Sequence, residues 1–243
     1  MPELPSDLLN ALRGVERVAA LTGSGASAES GVPTFREAQT GLWERFDPQE
    51  LATPEAFARN PGLVWEWYEW RRKLVELAEP NAGHQALAEL ERRLPGFDLV
   101  TQNVDGLHQR AGNRQVTELH GNILRSKCSF GGTIVEDYAP GKAPPPCPSC
   151  GAPLRPDVVW FGEPLPTEAF EAASEAARVC DLFLSVGTSS LVYPAAGLPF
   201  EALENGAVLV EVNPDETPLS AHADHVLRGP AGEMLPRLVS AIL

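Results

Sequence analysis

The residues best suited to chemistry stand at the ends of short apolar runs. Gly23-Ser24-Gly25-Ala26-Ser27-Ala28 directly follows the run Arg17 to Thr22 (RVAALT). The segment fits G-x-G-x-x-G/A, with Ala28 in the third position. The first glycine permits a tight turn and the second lets a pyrophosphate approach the backbone. The N-terminus of the helix that follows supplies free N–H groups and a favourable dipole. The same turn also serves as a ligand-free strand-to-helix connection. One element of an ordinary dinucleotide site is missing, an acidic residue ending a second strand about 20 residues later. That region, Gly31 to Asp47, does not pattern as a strand and holds Phe35, Arg36 and Trp43 among turn residues. A nucleotide bound at the glycine turn would be covered by a loop rather than held by a carboxylate.

A second polar cluster, Thr101-Gln102-Asn103-Val104-Asp105-Gly106-Leu107-His108, follows the run Asp98 to Thr101. Gln102 and Asn103 each offer a donor and an acceptor. Asp105 can accept from an amide or a ribose hydroxyl, or it can cap a helix. His120-Gly121 follows the run from Val116. An imidazole titrates near working pH and suits a general base, but a lone histidine is more often structural, and His84 and His108 compete for the role. Cys147-Pro148-Ser149-Cys150-Gly151 reads as a zinc knuckle.

Positioning these groups requires strands that alternate with helices. Arg17–Thr22, Asp98–Thr101, Val116–His120, Asp181–Val186 (DLFLSV) and Ala207–Val212 (AVLVEV) read as strands. Helices are expected over 8–13, from Ala26, over 54–78 with an interruption at Asn60-Pro61, and over 84–94, 170–179 and 234–243. This rhythm predicts an α/β, Rossmann-like parallel sheet with helices on both faces, its ligands at the carboxyl edge. Residues 126–156 break the rhythm, being rich in Pro and Gly, and hold three of the four cysteines. They read as a small inserted module. The expected division is a large domain of about 1–35, 80–125 and 157–243, with a small domain from about 36–79 and 126–156.

Composition narrows the function. Of 243 residues, 43% are hydrophobic and 21% charged, and 19 basic against 33 acidic residues leave a net charge of -14. That balance argues against nucleic-acid or anionic-membrane surfaces, which need clustered Lys and Arg. No segment has the length of a membrane span or signal peptide. A cytoplasmic monomer with thiol or metal-binding cysteines is expected.

Taken in order, five motifs resemble the sirtuins, NAD-dependent protein-lysine deacylases: Gly23 to Arg36, Thr101 to Asp105, His120-Gly121, Val158-Val159-Trp160-Phe161-Gly162-Glu163, and Gly187-Thr188-Ser189. The resemblance runs from about Arg17 to the C-terminus. It implies NAD as co-substrate, with phosphates near Gly23 to Ser27, Ala28 also at the cofactor, and a covering loop of Pro33, Thr34, Phe35, Arg36 and Trp43. Gln102, Asn103, Val104 and Asp105 would surround the nicotinamide ribose. Gly187, Thr188, Ser189, Asn213, Pro214, Asp215 and Ala231 match the adenosine half. His120 would be the base and Asn103 its catalytic companion, and Val159 to Glu163 would pair with the substrate peptide. Products would be free lysine, nicotinamide and acyl-ADP-ribose.

The resemblance is closest to the branch that removes acidic acyl groups. There a Tyr-x-x-Arg pair, here Tyr68 and Arg71, binds the distal carboxylate of succinyl- or malonyl-lysine, and a small residue, here Ala52, widens the pocket. The family also pairs the zinc knuckle with an earlier C-x-x-C. Here Cys128 is present, but Gly131 stands in place of its partner, with 15 residues between it and Cys147. Zinc held by Cys128, Cys147 and Cys150 with water or another side chain, a metal-free module, and oxidised cysteines all remain open. Plain deacetylation and mono-ADP-ribosyl transfer are the alternative activities. A dehydrogenase would need the missing carboxylate, and a nucleic-acid-binding zinc ribbon conflicts with the charge.

Overall fold

In the computed structural model, which describes residues 4–33, 51–138, 141 and 143–243, the apolar runs form the centre of a six-stranded sheet. Its strands are β1 (Arg17–Thr22), β2 (Gly96–Thr101), β3 (Val116–Glu118), β7 (Leu182–Val186), β8 (Val208–Val212) and β9 (His225–Leu227). All pair in parallel, in the order β3-β2-β1-β7-β8-β9. Alternate side chains of β1 explain its unbroken apolar pattern. Val18 and Ala20 pack with helices α1 (Ser6–Ala11), α4 (Ala82–Arg93) and α8 (Ala231–Ile242) on one face. Ala19 and Leu21 pack with α6 (Thr167–Val179) and α7 (Leu198–Glu204) on the other. The expected α/β sheet with both faces covered is what forms.

Register sets the functional edge. Thr22 lies level with Thr101 and with Val186. The chain runs outward from β1 through β2 and β3, then returns to add β7, β8 and β9 on the other side, so the switch point where open α/β sheets bind ligands lies between β1 and β7. The ladder continues past the strands. Gln102 N donates to Thr22 O, Leu119 N to Thr101 O, Gly23 N to Val186 O and Gly187 N to Val212 O, each at 2.9 Å. The glycine turn, the Gln102–Asp105 run, His120 and the Gly187 turn therefore emerge along one edge.

A second sheet lies beside the first. Strand β4 (Gly121–Cys128) pairs antiparallel with β5 (Ile134–Val135) and β6 (Leu154–Val158). It packs on α2 (Pro54–Arg59) and α3 (Pro61–Leu77) through Val64, Trp67, Tyr68, Ile123 and Val158. The break between these helices is local chemistry. Asn60 ends α2, and its Oδ1 accepts from Leu63 N at 3.1 Å to start α3, with Pro61 in the first turn. Among the described residues no helix is long and apolar enough to cross a membrane.

Some elements differ from expectation. After Gly23 the chain forms a 3-10 helix over Ser24–Ser30 rather than an α-helix from Ala26. Strand β3 stops at Glu118, and α8 begins at Ala231 instead of 234. Strand β4 is too polar to pattern as a strand, with Asn122, Arg125, Ser126 and Lys127 along it. Its turn from His120 depends on Gly121 at φ 78°, where a Cβ would sit 2.1 Å from Asp157 O.

The glycines of the first motif serve packing as well as ligand access. A Cβ on Gly23 or Gly25 would lie 2.8 Å from Gly187 O, and one on Gly187, at φ 60°, would lie 2.3 Å from Ala26 N. The β1 and β7 turns thus meet backbone to backbone. Gly187→Ala combines a left-handed residue with a clash against main chain. It is expected to cost at least roughly 2 kcal/mol, read as a lowered thermal midpoint. An unchanged midpoint would contradict this packing.

Candidate active site

The sheet edge brings the first two motifs into one hydrogen-bond network. Asn103 Nδ2 donates to Gly23 O at 3.0 Å and to Ser27 Oγ at 3.1 Å. Ser27 Oγ donates to Asp105 Oδ2 at 2.7 Å. The other carboxylate oxygen accepts from Leu107 N at 2.9 Å, ahead of α5 (Leu107–Ala111). Asp105 therefore both starts that helix and ties it to the glycine turn. Gln102 Nε2 reaches Thr188 Oγ1 at 3.3 Å, linking the second motif to the Gly187 turn. Asn213 Nδ2 donates to Thr188 O at 2.8 Å, and its Oδ1 accepts from Asp215 N at 3.3 Å.

Around this network Gly23, Ala26, Ser27, Asn103, Asp105, Thr188, Asn213 and Ala231 are buried. Ser24, Ala28, Ser189, Pro214 and Asp215 are exposed along the same edge. Gly25, Pro33, Gln102, Val104 and Gly187 are half-buried. Thr34, Phe35, Arg36 and Trp43 lie outside the described residues.

The three competing histidines separate by what their rings already bond. His84 Nδ1 accepts from Asn81 N at 3.2 Å, within the capping box of α4, so its Nε2 carries the proton and points to Ser27 Oγ at 3.3 Å. His108 Nε2 sits 2.9 Å from Thr22 Oγ1, whose proton goes to Thr101 Oγ1 at 2.8 Å. Burial and the neighbouring His84 ring, 4.8 Å away, push His108 down to about 3, so it is neutral. Both rings are about 1% exposed; His84 is bonded at both nitrogens, and His108 Nδ1, which has no hydrogen-bond partner, is sealed from substrate by that burial, which removes both as candidates for the base.

His120 is different. Its Nδ1 lies 2.9 Å from Gln102 O. A carbonyl only accepts, so Nδ1 carries the proton and Nε2 keeps its lone pair. Burial lowers the pKa of the ring, and the bond to Gln102 O only partly offsets this. The ring stays neutral near pH 7 and can take a proton at Nε2. Val159 N donates to His120 O at 2.9 Å, which places the 158–163 segment directly beside it.

That segment also meets the α3 pair. Ala52, Tyr68, Val158 and Trp160 share one apolar cluster, with Val104 and Val32 packed against it. Ala52 O accepts from Phe161 N at 2.9 Å. Trp160 Nε1 donates to Tyr68 Oη at 3.0 Å. An indole N–H can only donate, so Tyr68 keeps its own proton for another acceptor. Burial raises the phenol pKa, and that proton stays in place. The Arg71 guanidinium lies 5.0 Å from the Trp67 ring centre and 5.7 Å from that of Tyr68. Burial acts to lower its pKa, while Tyr68 and Asp105 raise it.

Glu163 faces inward. Its oxygens accept from Arg155 at 2.5 and 2.8 Å and from Trp160 N at 2.8 Å. Burial raises the pKa of this carboxyl, but the Arg155 bonds outweigh it and the net shift is downward. Phe161 and Gly162 are exposed and Val159 half-buried, the side from which a peptide can approach. Arg155 was not singled out from the sequence. It is buried, with its guanidinium 3.3 Å over the Trp160 ring, and its place in a Pro-flanked run gave no signal for that.

In the second sheet the Sγ atoms of Cys128, Cys147 and Cys150 all lie within 4.8 Å of one another, with Cys128 and Cys150 3.4 Å apart. Tetrahedral zinc at about 2.3 Å from sulfur needs sulfurs roughly 3.8 Å apart, so three corners fit. Hydrogen bonds from the Gly131 and Phe130 amides hold the Cys128 thiol down to about 7, which favours the thiolate a metal needs. Among the described residues no fourth His, Cys, Asp or Glu joins the group.

Comparison with known proteins meets this geometry. Residues 23–194 match the Sir2 family. An NAD-dependent protein deacylase 2 of Pyrobaculum aerophilum is 56% identical over 222 residues, covering 91% of this chain and 89% of the relative. An NAD-dependent protein deacylase of Aquifex aeolicus is 56% identical over 209 residues, 85% of this chain and 87% of the relative. A solved Sir2 homologue in complex with NAD superposes with a TM-score of 0.91 at 46% identity, covering 99% of this chain and 94% of the other. The strand-edge network, the His120 arrangement and these matches place the chain in the Sir2 family.

Proposed function

We propose that this protein is an NAD-dependent deacylase of lysine side chains, and that it accepts succinyl and malonyl groups as well as acetyl. The observation that carries the reading is His120, anchored through Nδ1 to Gln102 O, which leaves Nε2 as its lone-pair nitrogen, at the same sheet edge as the Asn103, Ser27 and Asp105 network. The two deacylase relatives and the NAD-bound homologue support NAD as co-substrate. NAD would lie along that edge, its phosphates at the glycine turn and its adenosine toward Thr188 and Asn213. The acyl oxygen of the modified lysine attacks the ribose carbon as nicotinamide leaves. His120 then takes a proton from a ribose hydroxyl, whose oxygen attacks the acyl carbon; the C–N bond to lysine breaks, the amine leaves protonated, and one water adds to the acyl carbon to give acyl-ADP-ribose.

The acidic-acyl part of the reading rests on Tyr68 and Arg71. Tyr68 offers one phenolic proton, and Arg71 a fork of donors suited to a carboxylate. Incubation with NAD and acetyl-, succinyl- or malonyl-lysine peptides, followed by nicotinamide release and peptide mass, tests the whole. Acyl loss matched by nicotinamide release is expected. Nicotinamide release without acyl loss would instead mean ADP-ribosyl transfer.

Trp160 fixes the Tyr68 hydroxyl in this scheme. Trp160→Phe keeps most of the ring but removes the N–H. A neutral hydrogen bond contributes about 0.5–1.5 kcal/mol, so kcat/KM on succinyl-lysine should fall roughly two- to tenfold. Acetyl-lysine turnover should change less, and equal losses on both would remove Trp160 from this role.

A further inference from the structure

The cysteine group departs from a closed tetrahedral site in a specific way. Cys128 and Cys147 are buried and Cys150 is exposed. Two tight turns present them. Gly132 N donates to Cys128 O at 3.0 Å, and Gly151 N to Cys147 O at 2.8 Å. Gly131 N also points to Cys128 Sγ at 3.4 Å. Residues 129–134 are all exposed. A Cβ built on Gly131 would meet only Thr133 Oγ1, at 3.9 Å. Among the described residues, therefore, nothing crowds the Gly131 side of the group, where a fourth ligand would stand.

We propose that Cys128, Cys147 and Cys150 hold one zinc ion through three thiolates, and that its fourth coordination position, on the Gly131 side, takes an exchangeable external ligand. Water fills that position by default, and a low-molecular-weight thiol displaces it. Thiolate is the softer donor and zinc prefers it. As the new Zn–S bond forms, the thiol gives its proton to solvent and the water departs. Structural zinc sites are normally closed by four protein ligands, and an open position belongs to sites whose ligand exchanges. The module would therefore hold its metal more loosely than a four-thiolate site and respond to the surrounding thiol pool.

The test uses the full chain, kept reduced with a phosphine so that no thiol is added. Zinc per chain, competition with a chromophoric chelator, and the absorption of the cobalt(II)-loaded protein are measured with and without glutathione. The expected result is about one metal per chain. The cobalt spectrum should show three sulfurs and one oxygen, and glutathione should shift it toward four sulfurs. Gly131→Cys should tighten metal binding by more than roughly tenfold, since even loss of an outer partner costs that much, and should abolish the glutathione response. Gly131→Ala should leave affinity unchanged, showing that the gain comes from sulfur and not from a stiffer loop. Less than one-tenth of a metal per reduced chain would overturn the proposal. So would a wild-type spectrum matching Gly131→Cys, or one unmoved by excess glutathione.

Discussion

His120→Ala should lower kcat for lysine deacylation by roughly 10²- to 10⁴-fold, the range a positioned general base supplies. NAD affinity should change far less. In the proposed sequence nicotinamide leaves before His120 acts, so exchange of labelled nicotinamide into NAD in the presence of an acylated peptide should outlast the loss of turnover. Equal loss of exchange and turnover would show that His120 acts earlier or only holds the site together. The pH profile gives a second handle. The base works only when neutral, and burial depresses its pKa below the ordinary value of about 6.5. Activity should therefore persist as pH drops through neutrality and fall only below about 6.5, as the ring protonates. An acidic limb centred above 7 would contradict the neutral, buried imidazole.

The reasons His120 could not be chosen from the sequence are instructive. His84, His108 and His120 each stand at a strand end or near a helix start, and spacing treats them alike. They differ in partners supplied by distant segments. His84 is spent on the Asn81 cap and Ser27, and His108 on Thr22. His120 alone of the three bonds a carbonyl through Nδ1. The main sheet was legible because β1, β7 and β8 are buried on both faces, which leaves unbroken apolar runs. The second sheet was not, because charged and polar residues interrupt its few apolar ones, and paired charges supply part of its burial. In β6, Arg155-Pro156-Asp157 reads as a loop, yet Arg155 is buried against Glu163 and Trp160, and Asp157 pairs with Arg125 and Lys127. The first motif was legible as a turn, but its glycines answer partly to Gly187, over 160 residues away, which no local pattern reports.

On succinyl-lysine, Arg71→Met should lose roughly 10- to 150-fold in kcat/KM, equivalent to the about 1.5–3 kcal/mol of a charge-assisted hydrogen bond. Acetyl-lysine turnover should stay within about threefold, because its acyl group has no carboxylate to lose a partner. The structure separates Arg71 from its basic neighbours. Arg72 is buried and commits its donors to Ile123 O, Glu69, Tyr138, Arg125 O and Ser126, which ties α3 to β4. Lys73 is exposed on another face of the helix. Arg71 lies against the Trp67 and Tyr68 rings, within the electrostatic reach of Asp105. Methionine keeps a long apolar stem against those rings, so the variant tests the guanidinium rather than the packing. Arg71→Lys adds a finer test. It retains the charge but not the planar fork, and should fall between wild type and Met on succinyl-lysine. If Arg71 only packed on Trp67, both acyl substrates would suffer alike and Lys would rank no better than Met. A selective loss that follows the order Arg, Lys, Met would tie the preference to recognition of the acyl carboxylate itself.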